Sequence, residues 1–472
     1  MPKKRHREKF FLQRIFLSRK KAAPRFELGI KDLQSSALPL GHAALKEKAS
    51  PQMDRISKRK TYLLVISNGH GEDLIALRVL EALHQLFPDI QAEVMPLVGK
   101  GNCFNKAIVA GWLKKIGPTS IMPSGGFSNQ SLSALIDDIS SGLIYKTLKQ
   151  WWFLRNQSRR NKSILAIGDL FPLFLAWSSG SNFAFVGTPK SDYAWKSSPG
   201  WFFSDFYHQI KGSEWDPWEW WLMKSRNCAF VAMRDKLTAR GLKKRGINAF
   251  SPGNPMMDNF QKNSVPLFLK TYRRVLLLCG SRNREALNNF TELLKATDLI
   301  KHKESIAILV ATGKEPRIND LEISLVKLGY KEMSLDNKNF EAGSCFYKGS
   351  KFVFLGPNKF HSWAPWAEIG LANAGTATEQ LVGLGIPALS LPGKGPQFKE
   401  KFAQRQSRLL GGAVISCQSP EILSQRLDFL LRERSFCKHL GNIGKSRMGP
   451  AGGGKNIALL INKFLLKSSK NI

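Results

Sequence analysis

Three short stretches carry residue types suited to chemistry on a phosphorylated substrate. The first is Leu371-Ala-Asn373-Ala-Gly375-Thr376-Ala-Thr378-Glu379-Gln380-Leu381-Val-Gly383-Leu-Gly385-Ile-Pro387. An apolar run ends at Asn373, the chain turns at Gly375-Thr376, and Ala377, Leu381 and Leu384 then recur at roughly helical spacing. A strand, a glycine-bearing turn and a helix start make an anion site: the first N–H groups of a helix lack partners within it, and its dipole favours negative charge there. Gly375 lets backbone approach a phosphate. Glu379, one turn in, is placed to bond a ribose hydroxyl pair, with Asn373, Thr376 and Gln380 beside it. An ordinary strand-to-helix turn has the same local pattern.

The second stretch is Asn68-Gly69-His70-Gly71-Glu72-Asp73, between the apolar run Thr61–Ser67 and a helical pattern over Leu74–Leu86. His70 titrates near working pH and suits a general base. Glu72 or Asp73 would orient it or take its place; alternatively the two acids complement a helix dipole. Asp169 closes the apolar run Ser163–Gly168 and reads as acid, acceptor ligand or N-cap of the helix that follows. The third stretch is Gly280-Ser281-Arg282, after the apolar run Arg274–Cys279. Arg282 there suits a two-pronged pyrophosphate contact or is a solvated surface side chain. Gln397, in the proline-stiffened loop Pro392–Phe398, is placed for donor-sugar hydroxyls, with Gln404 a weaker candidate; Ser124-Gly125-Gly126 reads as a loop within reach of an acceptor.

These residues need a frame. Apolar β-rich runs alternate with helical patterns throughout, and the candidates fall after strand ends, where open α/β sheets place ligands. The pattern predicts an α/β protein of two Rossmann-like lobes facing a cleft. Residues 61–265 form the first, acceptor lobe; residues 270–450 form the second, donor lobe; residues 455–472 form a last helix. The Gln261-Lys-Asn-Ser264 segment marks the boundary, Leu132–Trp152 reads as a helix, Arg155–Lys162 as a connection, and the glycines of 449–454 as a flexible joint. Residues 1–60 are a basic tail, expected to be disordered or upstream of the true start at Met53; Arg25–Ala43 resembles a conceptually translated transfer-RNA gene.

The formal net charge of +35 over 472 residues favours phosphate-rich partners. No apolar run reaches the ~18 residues of a bilayer span, and the six cysteines lack metal-ligand or disulfide spacing. Trp195, Trp201, Trp215, Trp218, Trp220 and Trp221 crowd one segment among lysines. They read as a peripheral membrane contact, or as packing beneath a loop. No recognisable nucleic-acid module frames them, so no specific nucleic-acid partner is expected.

Asn373 to Gln380, Gly385-Ile-Pro387 and Leu391 to Phe398 together resemble the donor lobe of two-lobed (GT-B) glycosyltransferases. The nearest family is lipid-A-disaccharide synthase, in particular its divergent relatives in cyanobacteria. In that family the turns matching Gly280-Ser281-Arg282 and Gly375-Thr376 to Glu379 serve the nucleotide diphosphate; Gly253 to Asp258 matches a further segment. The first lobe departs from the pattern: Pro172 replaces an acid, and the turn at His70 is similar to that of the glycosyltransferases making the peptidoglycan lipid intermediate. The resemblance implies inverting transfer of a sugar from a UDP-sugar to a lipid-linked hydroxyl by a cytoplasmic enzyme peripheral on the inner face of a membrane. It implies no cofactor, and the absence of an Asp-x-Asp where a metal would bridge the diphosphate points to metal independence. A UDP-sugar 2-epimerase, or a binder of nucleotide sugars or RNA without turnover, are the alternatives.

Overall fold

Strands of the first half are buried on both faces, as a parallel sheet covered by helices requires: Leu63 to Ser67 and all of Ser163 to Gly168 are inaccessible or nearly so. The computed structural model describes residues 61–120, 143–160, 162–196, 203–260, 263–281, 283–300, 304–334, 340, 342–393 and 400–466. The tail 1–60, the Ser124-Gly125-Gly126 loop, Trp201, Arg282 and Gln397 lie outside the described residues.

The first sheet contains β1 (Thr61–Ser67), β2 (Ile90–Pro96), β3 (Leu113–Lys115), β4 (Ser163–Gly168), β5 (Phe183–Gly187), β6 (Cys228–Met233) and β7 (Ala249–Phe250). They run in the order β3-β2-β1-β4-β5-β6-β7, all parallel. The winding reverses between β1 and β4, so a crevice opens beyond their carboxyl ends. Helix α1 (His70–Leu86) follows β1, α2 (Leu143–Ser158) precedes β4 and α3 (Leu170–Ser179) follows it; α4 (Phe203–Lys211) and α5 (Pro217–Met223) lie between β5 and β6.

Two boundaries differ from the sequence expectation. Helix α1 begins at His70, not Leu74: Asp73 N–H already donates to Gly69 carbonyl at 2.7 Å, so the expected turn is the first helical turn. Helix α2 continues through Arg155, expected in a connection, to Ser158, because Leu154 and Gln157 still pack inward.

The second sheet contains β8 (Arg273–Leu278), β9 (Ile306–Thr312), β10 (Lys331–Glu332), β11 (Ser344–Lys348), β12 (Lys351–Pro357), β13 (Ile369–Ala372), β14 (Ala388–Ser390) and β15 (Val414–Ser416). Their order is β10-β11-β12-β9-β8-β13-β14-β15, parallel except for the two pairs made by β11. Here the winding reverses between β8 and β13. Helix α6 (Thr376–Gly383) follows β13 and α7 (Glu400–Leu409) precedes β15.

The chain then returns to the first sheet. In α8 (Gly453–Leu460) and the turn after it, Ile457, Ala458, Ile461 and Leu465 join the same apolar cluster as Leu80 and Leu83 of α1. The glycine stretch expected to be slack is tied down. Asp258 accepts from Gly452 N–H at 2.5 Å and Gly454 N–H at 2.8 Å, and Asn254 donates to Met448 carbonyl at 3.0 Å. Ion pairs join the lobes elsewhere: Arg408 with Asp205 at 2.8 Å and Arg405 with Glu214 at 3.6 Å. Arg447 lies 4.0 Å from the Tyr193 ring centre.

Candidate active site

Beyond the ends of β1, β4 and β5, four side chains converge. Glu72, in the first turn of α1, accepts from the Thr188 hydroxyl at 3.2 Å. Asp169 caps α3, accepting from Phe171 N–H at 3.0 Å, and also accepts from Asn68 Nδ2 at 3.0 Å. A methyl group added at Gly168 would lie 3.2 Å from Asn68 Cβ and 3.5 Å from Glu72 Cγ, so the β4 end and the β1 turn are in contact. Gly69, with φ of 117°, adopts a backbone that L side chains rarely take, and so lets the chain enter α1 directly from the strand.

Burial pushes the Glu72 carboxyl from its ordinary 4.5 up to about 7; the hydrogen bond from Thr188 pulls the other way, and the neighbouring Asp169 and Asp73 charges add to the rise. Burial likewise raises Asp169, against the Phe171 and Asn68 hydrogen bonds. Asp73 is only 4% exposed and accepts from the Ser67 hydroxyl at 2.5 Å, which ties α1 to β1. His70 opens α1, and its side chain lies outside the described residues.

Beyond the ends of β8 and β13, the chemistry is different. Asn373 N–H donates to Leu278 carbonyl at 2.9 Å, and a methyl group at Gly280 would sit 3.3 Å from Asn373 carbonyl oxygen. The Gly280-Ser281 turn and the Asn373–Thr376 turn therefore adjoin, and Gly280, with φ of 98°, has both a conformational and a steric need for glycine. Thr376 is exposed at the start of α6, and at Gly375 the nearest atom to an added methyl is Phe402 Cζ at 3.9 Å. The first N–H groups of α6 lack partners within the helix, as in any helix start that takes an anion.

The two ends meet across the lobes. A methyl group at Gly71 would lie 3.6 Å from Thr376 Oγ1. Arg234, immediately after β6, reaches from the first lobe to Glu379 Oε2 at 3.0 Å. Among the described residues, Glu379 Oε1 takes no hydrogen bond.

Several residues grouped with the donor site have other work. Asn373 is 4% exposed and its amide is spent on Leu391, donating to the carbonyl at 2.7 Å and accepting from the N–H at 2.9 Å. It holds the β13 and β14 ends together. Gln380 is buried and donates to Met256 carbonyl at 2.8 Å, bracing α6 against the inter-lobe connector. Sequence reasoning overlooked Thr188, Asn68 and Arg234. Each stands just beyond a first-sheet strand, and that position alone was their signal.

The tryptophan segment does not act as one surface. Trp215 is 0% exposed and packs edge-on against Phe185 in the core. Trp195 and Trp220 are half-buried, Trp220 beneath Arg245 at 4.4 Å. Trp218 and Trp221, both on α5, are exposed. Among the described residues no group of three or more His, Cys, Asp or Glu side chains is arranged to hold a metal, and no helix is long and apolar enough to cross a membrane.

No protein-family model matches the chain, and no curated protein does. Solved structures do match. MnaA of S. aureus, in complex with UDP, superposes with a TM-score of 0.52 at 14% identity, covering 86% of this chain and 97% of that one. CalG4, the calicheamicin glycosyltransferase, gives 0.51 at 12% identity over 86% and 100%. MurG of Acinetobacter baumannii gives 0.50 at 14% identity over 85% and 99%. At such identities the likeness is one of fold: two parallel-sheet α/β lobes in the GT-B arrangement.

Proposed function

We propose that the protein transfers a sugar from a UDP-sugar to a hydroxyl group of a lipid-linked acceptor, with inversion, in the manner of the lipid-A-disaccharide synthase relatives that its sequence resembles. The observation that carries the reading is the apposition of Gly71 and Thr376, 3.6 Å from an added methyl to the hydroxyl. It supports a site in which a carboxyl that burial raises to about 7 and the start of α6 belong to one crevice.

In the proposed reaction Glu72 takes the acceptor's hydroxyl proton as that oxygen bonds to the anomeric carbon, and the bond from that carbon to the diphosphate breaks. The departing charge rests on the α6 N–H groups and on Arg282, electrostatic work that needs no metal ion. Glu379 Oε1 accepts from the ribose hydroxyls while Arg234 fixes the other oxygen. Asn68 and Asp169 hold the acceptor end. The enzyme works at the cytoplasmic face of a membrane, where a lipid-linked acceptor is found.

A second reading has its own support. Two carboxyls of raised pKa, Glu72 and Asp169, adjoin one another. A UDP-sugar 2-epimerase needs paired acid and base groups to remove and return a proton at the sugar's second carbon. Incubation with radiolabelled UDP-sugars, with and without lipid extract, separates the two. Label passing into the organic phase only with lipid supports transfer; epimerised sugar without lipid supports the rival; neither product refutes both.

A further inference from the structure

Helix α7 touches both lobes. Ala403, Gln406 and Leu409 recur at i, i+3 and i+6 along it and are buried. Arg405 and Arg408, on the adjoining face, reach the first lobe: Arg408 pairs with Asp205 of α4 at 2.8 Å, and Arg405 lies 3.6 Å from Glu214. Asp205 is 7% exposed, so its pair is shielded from water, whereas Arg405 is exposed and its pair contributes less.

A buried amide in an otherwise apolar row needs a reason. Gln406 is 3% exposed, and its Nε2 donates to Gly375 carbonyl at 3.2 Å and to Ala374 carbonyl at 3.4 Å. Among the described residues its Oε1, also buried, accepts from nothing. Packing alone would favour an apolar side chain here, so the work of the amide is at the turn. Each of the two carbonyls has a second donor: the Thr378 hydroxyl reaches Ala374 at 2.6 Å, and Glu379 N–H reaches Gly375 at 3.2 Å. In a planar trans peptide a carbonyl and the N–H that follows it point opposite ways. Bonds that hold the Ala374 and Gly375 carbonyls toward α7 therefore aim the Gly375 and Thr376 N–H groups away from it. Those groups stand at the start of α6, where the N-cap Gly375 offers no side-chain acceptor.

We propose that Gln406 is a positioning residue for a bound diphosphate, kept in register by the Arg408–Asp205 pair two residues further along α7. Asp205, which belongs to the first lobe, thereby sets the affinity of the second lobe for phosphate. The inference rests on the sugar-nucleotide reading for the identity of the anion; the bracing of the turn stands on the contacts alone. A plain charge effect of Asp205 has the opposite sign, since removing an acid raises the local potential and favours an anion.

The experiment titrates UDP and uridine by calorimetry into the full chain as wild type, Gln406→Met and Asp205→Asn, and follows hydrogen exchange over residues 371–383 without ligand. Methionine keeps the volume of the side chain and removes the donor. Gln406→Met should weaken UDP by about tenfold, and Asp205→Asn by about fivefold. Uridine, which carries no phosphate, should bind all three proteins alike. Exchange over 371–383 should quicken about threefold or more in both variants. Thermal unfolding identifies a variant that has lost its fold, and Asp205→Ser takes the place of Asp205→Asn in that event. Wild-type UDP affinity in Gln406→Met overturns the inference, as does unchanged or tighter UDP binding by Asp205→Asn. Equal losses of UDP and uridine overturn it too, since they report damage to the whole site, and so does unchanged exchange in both variants. Absence of UDP binding by every protein, with the exchange pattern intact, would remove the sugar-nucleotide reading and leave the brace standing.

Discussion

The reversal point of the first sheet and that of the second occupy the same topological position and carry opposite electrostatics. At the first, Glu72 and Asp169 crowd each other and burial raises both carboxyls, so the end of the sheet retains a proton near neutrality. At the second, backbone N–H groups and glycine turns leave a place for negative charge, and the acid there, Glu379, is engaged by Arg234. In the proposed reaction the first wall moves a proton and the second holds a diphosphate. The difference shows that a doubled fold gains chemistry from what stands just past its strands.

The sharpest way to break this contrast is Glu72→Gln. Turnover should fall by roughly 10²–10⁴-fold, the usual span for a general base, while UDP binding persists in a titration of the same preparation. If His70→Ala abolishes turnover and Glu72→Gln does not, the base belongs to His70 and the contrast weakens.

A pH series sharpens the same point. With Glu72 titrating at about 7, kcat/KM should climb about tenfold per pH step below that value and level off above it. The Thr188 hydrogen bond lowers the Glu72 value, so Thr188→Val should move the rise to higher pH. Stability has the corresponding sign. A carboxyl raised from 4.5 to about 7 favours the folded state fully below 4.5 and loses that contribution as pH climbs through 7. Urea midpoints should therefore show Glu72→Gln gaining on the wild type between pH 5 and pH 8, by an amount of order 1 kcal/mol or more. Equal gaps at both pH values would contradict the raised carboxyl.

Smaller effects sort ligand from framework on the second wall. Asn373→Ala leaves Leu391 backbone groups unpaired and should cost about 1–3 kcal/mol in urea unfolding, with UDP affinity unchanged. Gln380→Ala gives up one bond to Met256 carbonyl and should cost about 1 kcal/mol, again without touching UDP. A fall in affinity with either variant, measured by calorimetry, would return that residue to the donor site.

The alternation of runs such as Leu63–Ile66 with helical spacing was enough to read the central strands of both sheets, because buried parallel strands are apolar throughout, whereas the short edge strands β3, β7, β10, β11 and β15 carry no such run. The sequence also put the candidates just past strand ends, and the structure brings Glu72 beside Asp169 and Gly280 beside Asn373. What individual side chains do was not. Asn373 and Gln380 stand beside Glu379 in sequence, yet helix and strand geometry turn them toward Leu391 and Met256. Trp215 and Trp218 are three residues apart and lie in the core and in solvent respectively, since a short helix begins between them. Arg234 reaches Glu379 from 145 residues away, a pairing that no local pattern encodes.

Calorimetric titration of UDP into the wild type, Glu379→Ala and Glu72→Gln tests the two-walled crevice most directly. Loss of a charged acceptor should weaken UDP by about 10–100-fold in Glu379→Ala, while Glu72→Gln binds as the wild type does. No UDP binding by the wild type, or equal loss in both variants, would contradict the account.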